Sequence, residues 1–171
     1  MNKINKLIFF LPIFFLGCAP NLIKENKVTK EINSLDLNIY SKSGDKKYSI
    51  TSPYSIYDNI KDKYQFKKTT INIFEGSKTK FIINSDESTL LDNNKVLKLK
   101  GNVIFKNTKK DEDRLYGDNF IWTIDDNNYL LTGNVKFENK NVILTAGKAK
   151  MNSDNIIEFF YPVKYKIKND N

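Results

Sequence analysis

Few residues in this chain could do chemistry. Its 171 residues include no histidine and a single cysteine, Cys18. Without an imidazole there is no Ser-His-Asp relay and no mixed Cys/His metal centre. One thiol cannot form a disulfide within its own chain, although it can be acylated. Carboxylates cluster at Asp111-Glu112-Asp113 and at Asp125-Asp126. Either run could offer oxygens to calcium, but both lie in short polar breaks, the first between Lys110 and Arg114. They read as solvated turns rather than ligand sets. No glycine-rich phosphate loop precedes a helical stretch. The residue types point to a binding or structural protein, not an enzyme, and they imply no cofactor.

The surroundings of Cys18 say what it is for. Lys3 and Lys6 precede the apolar run Leu7–Leu16, and Gly17-Cys18 follows at once. A basic start and a short apolar run make an export signal. Crossing a bilayer as a helix takes roughly 20 apolar residues, more than this run has. Residues 1–17 are therefore expected to be a signal peptide of the lipoprotein type, with Cys18 as the mature N-terminus. Residues 18–38 are polar and without a strong period, as in a tether. Residues 39–168 are expected to form one domain.

The rest of the chain must be positioned by strands. Leu99-Lys100-Gly101-Asn102-Val103 returns 32 positions later as Leu131-Thr132-Gly133-Asn134-Val135. Each copy follows a looser strand-like segment, and a third unit carries Tyr161-Pro162-Val163 in place of Gly-Asn-Val. A two-strand unit is thus written about three times, and repeats decide an architecture before anything else. Polar clusters at Asp92–Asn94, Lys109–Asp113, Asp125–Asn128, Glu138–Asn141 and Asn152–Asn155 break the chain at hairpin-like intervals. No segment carries a helical stripe. Period-two alternation puts Leu97, Leu99, Val103 and Phe105 on one face and Lys98, Lys100, Asn102 and Lys106 on the other. Phe120, Trp122 and Ile124 form another apolar row, as do Leu131, Val135 and Phe137. Phe159, Tyr161, Val163 and Tyr165 form the last. One sheet cannot leave so much apolar surface in water, so it must curl over itself.

Net charge is +8, carried almost wholly by lysine, with Arg114 the one arginine. Scattered lysines suit solvated faces, and no arginine–aromatic patch suggests nucleic acid.

The export signal, the tether and the repeated L-x-G-N-V strands resemble LptC, the periplasmic component of the lipopolysaccharide transport bridge. The likeness spans roughly residues 36–167 and includes Leu144-Thr145-Ala146-Gly147-Lys148-Ala149. Gly-Asn-Val strands also occur in the sibling bridge protein LptA and in the periplasmic domain of LptD. A single domain with an N-terminal membrane attachment favours LptC. That family usually keeps a transmembrane helix, where this chain carries the Cys18 signal.

The resemblance implies an all-β fold: a single twisted, partly open antiparallel β-jellyroll built from repeated strand pairs. It also implies an apolar groove for the acyl chains of lipopolysaccharide. The groove residues would be Leu99, Val103, Phe105, Phe120, Trp122, Leu131, Val135, Phe137, Met151 and Phe159. The implied partners are an ABC transporter of the LptB2FG type and an LptA-like bridge protein at the C-terminal edge strand. The membrane would hold the chain through lipidated Cys18, in the periplasm and on the inner membrane. Two other readings compete: a structural β-rich lipoprotein scaffold with a closed core, and an LptA-like bridge segment. An open channel predicts that Val135→Tyr leaves stability near native.

Overall fold

The computed structural model describes residues 29–91, 95–110, 112–125, 128–152 and 155–168. The signal and Cys18 lie outside these described residues. Nine strands follow one another: β1 (Thr29–Tyr40), β2 (Lys46–Asp58), β3 (Lys63–Glu75), β4 (Lys78–Leu91), β5 (Val96–Asn107), β6 (Arg114–Thr123), β7 (Asn128–Glu138), β8 (Val142–Met151) and β9 (Ile157–Ile167). They form one sheet in chain order, every neighbouring pair antiparallel. All five polar clusters fall at the junctions between consecutive strands from β4 to β9. The all-β fold and open antiparallel sheet implied by the resemblance are observed, as are the strand pairs expected from the repeats.

The strand set begins earlier than the alternation suggests. Residues 29–38, expected to be tether, belong to β1, so any tether ends before Thr29. Ile32, Leu35, Leu37 and Ile39 are its apolar side chains, and the three-residue step from Ile32 to Leu35 hides the period. That step marks a bend at Ser34, whose φ is +57°.

Every strand bends at the same level. Inward-facing residues are two apart within each half of a strand but change spacing at the bend. The step is three from Ser52 to Ser55, Phe66 to Thr69, Ser85 to Ser88, Gly117 to Phe120 and Ala146 to Ala149. In β5 and β7 it is four, from Leu99 to Val103 and from Leu131 to Val135. The Gly-Asn pair supplies the extra residue of a β-bulge there: Lys100 pairs with Asn119, then Val103 with Gly117. Gly101 and Asn102 have φ of +77° and +44°, and Gly133 and Asn134 have +75° and +47°. Glycine and asparagine are the residues that take this left-handed backbone most readily. The repeated motif is therefore a hinge in the sheet. In β2 the bend falls at Pro53, which interrupts no strand, since its missing N–H sits where the ladder to β3 is already broken.

The line of bends creases the sheet into two leaves, with the core between them. Leaves are closest at a crease, and the inward row beside it is made of small side chains: Ser52, Thr69, Ser85, Gly117 and Ala146, with Val103 and Val135 among them. Two hydroxyls of this row bond backbone carbonyls beside the bend, and Thr69 Oγ1 pairs with Ser88 Oγ at 2.7 Å. Ser52 Oγ donates to Lys67 O (2.7 Å) and Ser85 Oγ to Glu87 O (3.1 Å). Farther from the crease the rows grow bulkier, with Ile50, Ile71, Ile83 and Phe105 on one leaf and Leu97, Trp122 and Tyr129 on the other. The side chains fill a wedge. Aromatic rings close it across the leaves: Tyr48 meets Trp122 at 5.0 Å, Phe105 meets Tyr129 at 6.1 Å, and Phe137 meets Phe159 at 6.1 Å.

The last apolar row differs from expectation. Val163, Tyr165 and Ile167 pair with Ala146, Leu144 and Val142, so they lie on the inner face. They are nevertheless exposed (43%, 75% and 65%), because β9 is the sheet's last strand and nothing among the described residues covers it. Tyr161 is 93% exposed at the bend and does not join the row. Tyr161 falls inside the four-residue step from Phe159 to Val163, as Gly101 and Gly133 fall inside those of β5 and β7.

Candidate lipid-binding cleft

Opposite the crease the wedge opens between the strand tips. The turn between β5 and β6 is held against β4 by Thr108, whose N–H (3.0 Å) and Oγ1 (3.0 Å) both donate to Lys80 O. That contact brings Lys109 to Glu75, at the end of β3. Glu75 accepts from Lys80 Nζ at 2.8 Å and from Lys109 Nζ at 2.6 Å. The two ammonium groups hold its carboxyl down at about 2. Lys80 Nζ also lies 5.4 Å from the centroid of the Phe81 ring, at the start of the apolar interior.

Behind this rim is a cleft of about 360 Å³. Its apolar floor comes from Phe81, Phe105, Leu115, Phe137, Met151 and Ile157. Its rim carries Lys80, Lys109, Lys110 and Arg114 against Glu75 and Asp113. Asp113, expected only as part of a solvated turn, thus lines a cavity, while Asp111 and Asp126 lie outside the described residues. Deeper in, burial pushes the Tyr129 phenol up to about 12. Burial, with a smaller contribution from Asp125, does the same for Tyr48. Both phenols stay neutral and place no charge in the wedge interior.

The structure divides the ten groove residues inferred from sequence. Leu99, Val103, Phe120, Trp122, Leu131 and Val135 are almost fully buried between the leaves. Phe105 and Met151 are buried too, but they form part of the cleft floor. Phe137 and Phe159 are half-buried and touch each other at the β7–β9 end. All ten face inward, and four of them stand where a ligand could reach.

Sequence reasoning missed two groups. Asp86 accepts from Asn102 Nδ2 and Asp118 from Asn134 Nδ2, each at 2.8 Å and each 16 residues upstream. The repeat offset held that signal, one position past Ser85 and Gly117. The rim of Glu75, Lys80, Lys109 and Arg114 left no signal, because its members come from separate hairpins in a chain where lysine is everywhere.

No curated protein matches the chain in sequence. In three dimensions it is similar to LptH, the LptA-homologous periplasmic component of the lipopolysaccharide transport device from Pseudomonas aeruginosa. The TM-score is 0.57 at 11% identity, covering 71% of this chain and 95% of LptH. At that identity the likeness speaks for the fold. The family model for LptC-related lipopolysaccharide-assembly proteins matches residues 17–163, nearly the whole chain. The chain belongs to that LptC-related family of lipopolysaccharide assembly.

Proposed function

We propose that this protein is a membrane-anchored periplasmic segment of a lipopolysaccharide bridge. It takes lipopolysaccharide from an ABC transporter, shelters the acyl chains on its inner face and passes them to an LptA-like partner at β9. One observation carries this reading beyond family membership. The apolar inner face does not end with the closed core; it runs on through Phe137 and Phe159 to the uncovered Val163, Tyr165 and Ile167. Each methylene removed from water there contributes about 0.8 kcal/mol, so an acyl chain is held without specific polar contacts. Phe105, Phe137, Met151 and Phe159 make the contacts, and the six deeper residues form the wall behind them. The exposed strand edge suits addition of a partner's strand. Cys18, once acylated, fixes the molecule to the inner membrane, and mass spectrometry of the mature N-terminus checks this; an unmodified cysteine refutes it.

The burial of six groove candidates favours a second reading, a scaffold with a closed core. Photo-crosslinking in cells separates the two. A photoreactive residue at Phe137 or Phe159 is expected to capture lipopolysaccharide, and one at the outward-facing Lys98 is not. Equal capture from all three positions, or none from the first two, rejects the conduit.

A further inference from the structure

The cleft mouth is charged in a way that acyl shelter alone does not require. Four cations line it against two carboxylates, and they include the one arginine of the chain. Glu75 is shared by two lysines from different hairpins, each bonded to a different carboxylate oxygen. Among the described residues neither Lys110 nor Arg114 has an ion-pair partner. Lys80 stands over Phe81, so cation and apolar floor meet within one residue. This is the boundary an amphiphile presents, an anionic head joined directly to an alkyl chain.

We propose that the mouth is a subsite for the phosphate of a phosphorylated amphiphile, and that Glu75 is the resident carboxylate this phosphate displaces from Lys80 and Lys109. The proposal rests on the reading of the cleft as an acyl site and adds the chemistry of the head. A phosphate offers more charge and more acceptor oxygens than a carboxylate. Exposed lysine–carboxylate pairs are weak, so exchanging one acceptor for another meets little resistance. Lys110 and Arg114 then gain a partner that Glu75 does not supply.

A second shared carboxylate shows what is special about the first. Glu138 accepts from Lys136 and Lys168, both at 2.8 Å, and is likewise held at about 2. The hollow beside it shares Arg114 with the cleft mouth and is otherwise lined by polar and charged residues and Tyr116, with no aliphatic floor. A free anion would find the two sites alike. An amphiphile would choose Glu75.

Calorimetry on the folded chain tests this with decyl phosphate, decyl maltoside and inorganic phosphate, the amphiphiles below micelle-forming concentrations. Decyl phosphate is expected to bind at least ten-fold more tightly than decyl maltoside. Lys109→Gln with Arg114→Gln should erase that preference and leave maltoside affinity alone. Glu75→Gln, which removes the competitor, should tighten decyl phosphate several-fold, whereas Glu138→Gln should change nothing. Equal affinity for the two amphiphiles overturns the head-group subsite while leaving the acyl reading intact. Absence of binding by both overturns the acyl reading and the subsite together. Inorganic phosphate binding as tightly as decyl phosphate makes this a free-anion site and rejects the amphiphile. Weaker decyl phosphate binding in Glu75→Gln shows that Glu75 organises the lysines and does not compete for them.

Discussion

Gly133 and Gly44 share a left-handed backbone, with φ of +75° and +89°, and differ in what surrounds them. A Cβ at 133 would lie 2.7 Å from Asp118 Oδ2 and 2.9 Å from Asp118 Cβ; at 44 it would meet nothing within 4 Å. Gly44→Ala should therefore lose only the backbone term, roughly 1 kcal/mol. Gly133→Ala should lose about 1–3 kcal/mol more, because Asp118 cannot retreat without releasing Asn134. Chemical denaturation of both variants measures the difference, and Asp118→Ala in the Gly133→Ala background should recover part of it. Equal losses at 44 and 133 would mean that Asp118 does not crowd the bend. Backbone hand dictates the glycine and asparagine, and their aspartate partner recurs 16 residues upstream of the asparagine in both copies.

At the scale of the strand, the bend governs both packing and how much can be read from sequence. Between bends the period is two, so β5 to β7 and their hairpin turns are legible from Leu97, Val103, Phe120 or Leu131 alone. Across a bend the spacing changes: a three-residue step hides β1 behind Ser34, and a four-residue step leaves Tyr161 out of the last row. The candidate cleft is less legible still. Its floor follows from alternation, but which inward residues stay reachable depends on where the leaves meet, a distance no local pattern encodes. Val135 shows the consequence. An open channel would tolerate Val135→Tyr, yet Val135 is 1% exposed beside the crease, paired with the still smaller Ala146. The added ring overpacks that row and should lower stability by about 1–3 kcal/mol. Leu130→Tyr, on the outer face of the same strand, should stay within about 0.5 kcal/mol of wild type. Thermal unfolding of the pair decides it, and a stable Val135→Tyr protein would show that the leaves part more easily than their packing implies.

At the scale of the molecule, assembly has two separable parts. Each strand pairs only with its chain neighbours, so the sheet can be completed through short hairpin closures. The contacts across the leaves join distant parts of the chain, as Tyr48 of β2 does with Trp122 of β6. Long-range contacts of that kind are the slow ones to form. Trp122 is the only tryptophan, which makes its fluorescence a clean reporter of leaf closure. During refolding the far-ultraviolet strand signal should recover before Trp122 fluorescence does; superimposable traces would mean that hairpins and crease form together. A strand signal that leads means that the crease gives the chain an interval in which it is a finished ribbon without an inside. During that interval its greasy side and both free borders face other copies. The duration of that interval, rather than the stability of the closed form, sets the yield of soluble protein against aggregate.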